Sequence, residues 1–113
     1  IQRSLVMMLE LCHRGIFTPE LIVEKMCHNP ALLFNIRERG FIREGYKADL
    51  VLVNPDAPWT VTKDNILYKC GWSPLEGTTF SSRIVTTIVN GIPVYLDGHV
   101  TGERAAEMLL FNR

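Results

Sequence analysis

Neither sign of charge is in excess. Twelve Lys and Arg stand against 12 Asp and Glu in 113 residues, so no net field draws the chain to nucleic acid or to an anionic membrane surface. Long apolar runs are missing as well. Apolar residues make up 47% of the chain, yet no unbroken run approaches the ~20 residues that span a bilayer. Cysteine is scarce and odd in number. Cys12, Cys27 and Cys70 are widely spaced, which excludes the even, dense framework of a small secreted disulfide scaffold and makes the cytoplasm the expected location. No charged n-region followed by an apolar h-region is visible, so no signal peptide is expected. Ile1 stands where an initiator Met would, which leads us to expect a piece of a longer protein. Repeats and low-complexity stretches are absent. A chain of this length forms one domain at most and buries somewhat under ~70% of the surface it exposes when unfolded.

What is present is a change of grammar midway. From Gln2 to His13, Leu5, Met8, Leu9 and Cys12 recur at helical spacing and Gly15 follows as a stop. Thr18-Pro19-Glu20 supplies a capping hydroxyl, a proline at the first helical position and an acid in the first turn, predicting a second helix to about Met26. Asn29-Pro30 repeats the device. It predicts a third helix over roughly Ala31 to Ile36, with Leu33, Phe34 and Ile36 available for burial and Gly40 as the breaker. After Gly45, Ala48 to Val53 reads as a buried strand and Trp59 to Thr62 as a second short one. Gly71 to Ser82, rich in Gly, Ser, Thr and Pro, reads as an irregular loop. Arg83 to Val89 and Ile92 to Leu96 flank Asn90-Gly91, the pair favoured by a type I′ hairpin turn because both positions need positive φ. Asp97-Gly98 makes another turn, and Glu103 to Phe111 predicts a terminal helix with Ala105, Met108 and Leu109 on one side.

The candidates for chemistry are few. Cys12-His13 and Cys27-His28 offer the ligand types of a tetrahedral zinc site. Adjacent helical residues, however, point about 100° apart. Structural sites space their ligands by two to four residues, and the cysteines read instead as small hydrophobes. His99 sits beside a turn. Asp49 and Asp97 flank strands, Asp56 and Asp64 lie in turn-like segments and Glu76 in the long loop, with no HxH motif among them. Ser73, Ser81 and Ser82 have no identifiable base and read as loop hydroxyls bonding their own backbone. Arg37, Arg39 and Arg43 form a basic edge that, in a neutral chain, reads as solvated or ion-paired. Spacing alone designates no catalytic, cofactor-binding or metal-binding residue.

A resemblance adds what spacing does not. Asn29-Pro30-Ala31, Phe34, Arg39-Gly40-Phe41-Ile42, Gly45 and Ala48-Asp49-Leu50-Val51-Leu52-Val53 together resemble the C-terminal signature of the amidohydrolase superfamily. Ser73-Pro74-Leu75-Glu76-Gly77, Val85 to Gly91 and Val94 to Gly98 resemble the tail of its cyclic amidohydrolases, the dihydroorotases in particular. Ile1-Gln2-Arg3-Ser4-Leu5 is similar to the segment that follows the last barrel strand in those enzymes.

The resemblance implies an α+β piece of a metal-dependent (β/α)₈ barrel enzyme with a small composite β-sandwich. Residues 1–45 would be the last outer helices of the barrel and a linker; residues 46–113 would be the C-terminal part of the sandwich with a terminal helix. It implies a parent that uses zinc to hydrolyse dihydroorotate reversibly to N-carbamoyl-aspartate in pyrimidine biosynthesis. The parent's metal-binding and catalytic residues would precede Ile1, leaving this piece structural, inactive and without a metal of its own. The implied partners are the remainder of its own barrel, a small-molecule substrate in the parent and, as an option, further copies of itself. Three other readings stay open: a hydantoinase, dihydropyrimidinase or allantoinase tail; an inactive amidohydrolase paralogue serving as an assembly subunit; and an independent α+β binding module with a Cys/His metal site.

Overall fold

The computed structural model describes residues 2–112. Ile1, the first position of the resembling Ile1–Leu5 segment, and Arg113 lie outside the described residues. The arrangement is α+β: a helical stretch comes first, then a four-stranded and a two-stranded antiparallel sheet.

Helix α1 spans Ser4–His13. The expected face of Leu5, Met8, Leu9 and Cys12 is only half-buried, and the fully buried apolar residue is Val6. Helix α2, Pro19–Val23, begins as its sequence predicts, with Thr18 Oγ1 accepting from the Leu21 amide at 3.2 Å. It does not end near Met26. A π-helical turn, Glu24–His28, carries the chain directly into α3, Asn29–Leu33.

The expected fresh start at Asn29 is therefore corrected, since Asn29 is itself helical (φ −63°, ψ −42°) and donates its amide to Glu24 O, five residues back. Pro30 explains the wider turn. A proline inside a helix has no N–H for the carbonyl four residues earlier and its ring crowds that carbonyl; a π turn displaces it. Leu33 and Phe34, expected to be buried, are exposed, and Ala31 is the buried member of α3.

Strand β1, Leu50–Asn54, pairs with the central strand β4, Arg83–Val89. The expectation of a buried β1 fails, with Val51 45% and Leu52 53% exposed. The physical reason is position: in the order β1-β4-β5-β6 it is an edge strand, and no second layer among the described residues covers it. Strand β2 is Trp59–Thr60, and a short 3₁₀ turn, Lys63–Asn65, follows it. The loop expected from Gly71 to Ser82 contains a strand, β3, Thr79–Phe80, paired with β2. The hairpin falls where predicted. β4 and β5 (Ile92–Leu96) are joined by Asn90 (φ 50°) and Gly91 (φ 80°), and a second turn at Asp97-Gly98 leads to β6, His99–Val100.

The terminal helix is not formed. Residues 101–110 are irregular, Phe111 bridges Ile36, and the chain exchanges Arg37 N–H to Leu110 O (2.9 Å) and Asn112 N–H to Asn35 O (2.8 Å). Nine residues of helix are marginal in isolation. These main-chain partners decide the conformation against local propensity.

Candidate functional site

The chemistry of this chain concentrates where α1 meets the β-structure. Arg3, Val6, Glu10 and His13 are spaced by three, four and three residues and so lie along one side of the helical run. Each has a partner far along the chain. Val6 packs with Val61 and Phe80 in the principal core cluster, against which Trp59, Ile66, Leu75 and Ile84 are half-buried. Arg3 is buried and donates Nη2 to Asn65 O (2.6 Å) and Oδ1 (3.0 Å), with its guanidinium 5.0 Å from the centre of the Trp59 ring. Burial pushes its pKa below the ordinary arginine value, opposed by nearby Tyr68 and Tyr95, but a guanidinium stays charged in a protein.

Glu10 accepts from the Ser81 amide (2.9 Å) and the Ser81 hydroxyl (3.3 Å). The amide bond is the chief cause of its carboxyl lying below the usual range; desolvation opposes, while the Ser81 hydroxyl, Arg14 and His13 assist. His13 Nε2 reaches Pro55 O at 2.7 Å, an oxygen that also accepts from Ser82 Oγ (3.1 Å). Trp59 Nε1 closes the group on Ser82 O at 2.7 Å. A cleft of about 570 Å³ opens beside this interface, bounded by Arg3, Val6, Trp59, Ile84, Tyr95 and Val100 among others.

A second cluster marks the junction of helix and sheet. Gly40 (φ +83°) lies so close to the helix that a Cβ there would stand 2.5 Å from Ala31 Cβ and 2.7 Å from Cys27 O. The His28 and Phe41 rings stack at 4.1 Å and 8°, and the Arg43 guanidinium lies 4.1 Å from the Phe41 centroid. Arg39 pairs with Asp49, whose Oδ1 also accepts the Asn90 amide at 2.9 Å. The helix-to-strand joint is thus tied to the hairpin tip.

The sequence candidates are distributed by these structural tasks. Cys12 is half-buried, while Cys27 and Cys70 are exposed, and all three are free thiols. Among the described residues no three His, Cys, Asp or Glu side chains converge as a metal would need. His28 is engaged with Phe41, His13 with a carbonyl, and His99 is exposed on β6. Ser73 Oγ accepts from the Leu75 amide, as a turn hydroxyl does. Asp56 follows Asn54 in such a turn, Asp64 lies in the 3₁₀ turn, and Asp97 occupies a turn at φ 49°. Glu76 donates its amide to Ser73 O within the loop. Of the basic edge, Arg39 is ion-paired, Arg43 is stacked and Arg37 is exposed.

What the arrangement supplies is docking: hydrogen bonds and a small core fasten α1 to strands β2 and β3. Sequence reasoning missed Arg3, Glu10 and Asn65. For Arg3 and Glu10 the signal is the three-four-three spacing of Arg3, Val6, Glu10 and His13, a mixed polar stripe that a search for apolar periodicity passes over; Asn65, in the 3₁₀ turn, carries none.

Comparison with known proteins places this geometry in context. The model of the "Amidohydrolase family" matches residues 1–94. The dihydroorotase of Pyrococcus furiosus is 31% identical over 110 residues, 97% of this chain and 26% of that protein. The dihydroorotase of Clostridioides difficile is 39% identical over 85 residues, 75% of this chain and 20% of that protein. Among solved structures, L-hydantoinase (dihydropyrimidinase) from Arthrobacter aurescens superposes with a TM-score of 0.79 at 33% identity, covering 88% of this chain and 23% of that one. A D-hydantoinase superposes with a TM-score of 0.78 at 24% identity, a likeness of fold. The chain spans about a quarter of the length of such relatives.

Proposed function

The chain belongs to the amidohydrolase family, and from that membership we propose that it is the C-terminal portion of a dihydroorotase-like zinc amidohydrolase. The parent would add water reversibly across the cyclic amide of dihydroorotate, giving N-carbamoyl-aspartate. The carrying observation is that curated dihydroorotases from distant organisms match most of the chain, with 31% identity over 97% of it in one case. In this reading residues 1–45 are the last outer helices of a (β/α)₈ barrel and the linker, and residues 46–113 are the C-terminal part of a composite sandwich. The exposed β1 edge and the half-buried Leu5, Met8, Leu9 and Cys12 face of α1 support it, since both are apolar surfaces that further chain would cover.

The described residues do not fit a metal, because no ligand set converges among them. We assign zinc and the catalytic groups to the part of the parent outside this chain and derive no catalytic step here. The chain's own task is to fasten the end of the barrel to the sandwich through the Arg3, Val6, Glu10 and His13 stripe. Its partners are the rest of its own barrel and, in the parent, a small-molecule substrate; a homo-oligomer is compatible with it. The location is the cytoplasm, and among the described residues no helix is long and apolar enough to cross a membrane.

The test is hydrolysis of dihydroorotate by the full-length protein beside the purified 113-residue chain, both with zinc. Turnover by the full-length protein alone supports the proposal; turnover by the isolated chain refutes it. A second reading, a hydantoinase or dihydropyrimidinase parent, draws on the 33% identical L-hydantoinase structure. Full-length protein that opens hydantoins or dihydropyrimidines and leaves dihydroorotate untouched would establish it. An inactive full-length protein would point to the assembly-subunit reading.

A further inference from the structure

We propose that residues 103–112 form a salt-sensitive strap that clasps the helix-to-strand joint to the hairpin and opens without unfolding the sheet. The segment leaves β6 and crosses to the stretch that follows α3. Asn90 Nδ2 donates to Ala105 O at 2.5 Å, Arg37 N–H to Leu110 O at 2.9 Å and Asn112 N–H to Asn35 O at 2.8 Å. Between these bonds the Glu107 carboxylate lies 3.3 Å from Lys47 Nζ and 4.0 Å from Arg39 Nη2. One irregular segment of ten residues thus touches the hairpin tip, the linker and the end of the helical stretch.

Its means of attachment set its character. Met108, Leu109, Leu110 and Phe111 are all exposed, Met108 at 84%, and only Ala105 is half-buried. Leu109 and Phe111, at 40% and 43% exposed, keep part of their apolar surface covered, so burial holds the strap only in part. The side chains of Glu107 and Lys47 are 52% and 42% exposed, and ion pairs of that exposure are weak and screened by salt. A segment with few buried apolar contacts belongs to the low-stability end of a structure and opens locally. The sheet keeps its own ties when this happens, because the β4–β5 pairing and the bond from the Asn90 amide to Asp49 do not involve the strap. Opening instead deprives the Arg37 amide and the Asn35 carbonyl of their partners. The result is a two-state clasp at the joint that the Glu107 pairs bias toward the closed state. The inference is independent of which cyclic amide the parent hydrolyses.

Hydrogen exchange on the full-length protein tests it, comparing low salt with about 1 M salt, where the screening length falls to ~3 Å. The Arg37 amide should lose protection at high salt while amides of β4 and β5 keep theirs. Glu107→Gln should show the lowered Arg37 protection already at low salt and respond little to added salt. Truncation after Gly102 sets the fully opened level, and Glu107→Gln carries the test alone if that protein does not fold. Arg37 protection that ignores both salt and Glu107→Gln would overturn the proposal. So would loss of protection in β4 and β5 together with Arg37, since the segment would then be part of the global core.

Discussion

Adding one methyl group at Gly40 should be far more costly than adding it at Gly45. Both residues have φ of +83°, so both substitutions place an L side chain in the left-handed region, which costs about 1–2 kcal/mol. They differ in what the new Cβ meets. At Gly45 nothing lies within 4 Å, whereas at Gly40 the Ala31 Cβ and the Cys27 carbonyl oxygen stand at 2.5 and 2.7 Å. Neither neighbour is the end of a flexible side chain, so the joint must move away from the helix. Overpacking of this kind costs a further ~1–3 kcal/mol.

Gly40→Ala should therefore lose about 2–5 kcal/mol against ~1–2 for Gly45→Ala, a large part of a typical total of 5–15 kcal/mol. Urea midpoints of the full-length protein and its two variants provide the assay, read at constant m-value. Adding Ala31→Gly removes the nearest clashing atom, so it should recover part of the loss in the Gly40→Ala background and none in the Gly45→Ala background. Equal losses at the two glycines would refute the claim that close approach to the helix, rather than φ alone, demands glycine at position 40.

Other expectations follow from the α1 interface. Val6→Ala should cost about 2 kcal/mol through lost burial and the cavity left beside Val61 and Phe80, and Cys12→Ala, on the half-buried face, less than half of that by the same denaturation measurement. Arg3→Met removes the charged donor from Asn65 O and Oδ1, which keep Gln2 Nε2 and the Thr62 amide, and should cost ~1–3 kcal/mol; Arg3→Lys, which restores a charged donor, should recover part of it. Glu10 has a folded pKa below its ordinary value, so its contribution is present at neutral pH and is lost as pH falls through the folded pKa. Thermal unfolding against pH should show a shallower acid decline for Glu10→Gln than for the parent. An unchanged slope would sink the assigned role of the Ser81 bonds.

How far the fold could be read in advance depended on how local its causes are. The β4–β5 hairpin was legible because Asn90-Gly91 carries the whole requirement for two positive φ values in two residues. The start of α2 was legible for the same reason, since Thr18 caps it with its own hydroxyl. Asn29-Pro30 misled because the same pair serves a helix start and, behind a π turn, a helix interior; only the Asn29 bond to Glu24 O separates the two. Residues 103–111 have helical composition, but their conformation is set by main-chain partners at Asn35 and Arg37, some seventy residues away. β3 is two residues long and exists through its pairing with β2. The family was legible where single residues were not, because an ordered series of motifs survives substitutions that erase periodicity. Asn65 left no such trace, because its role depends on Gln2 and Arg3, more than sixty residues earlier in the chain.

The docking of α1 has a consequence for inheritance. Its stripe contacts residues 42 to 71 positions away, with His13 on Pro55, Arg3 on Asn65 and Glu10 on Ser81. A recombination crossover between His13 and Pro19 would preserve every local motif and still mismatch this interface. Chimaeras that take α1 from one relative and β2–β3 from another should express poorly unless Arg3 and Asn65, and Glu10 and Ser81, travel as pairs. Among relatives about one-third identical to this chain, such chimaeras test whether the two ends of that interface behave as one unit, although the rest of the sequence lies between them.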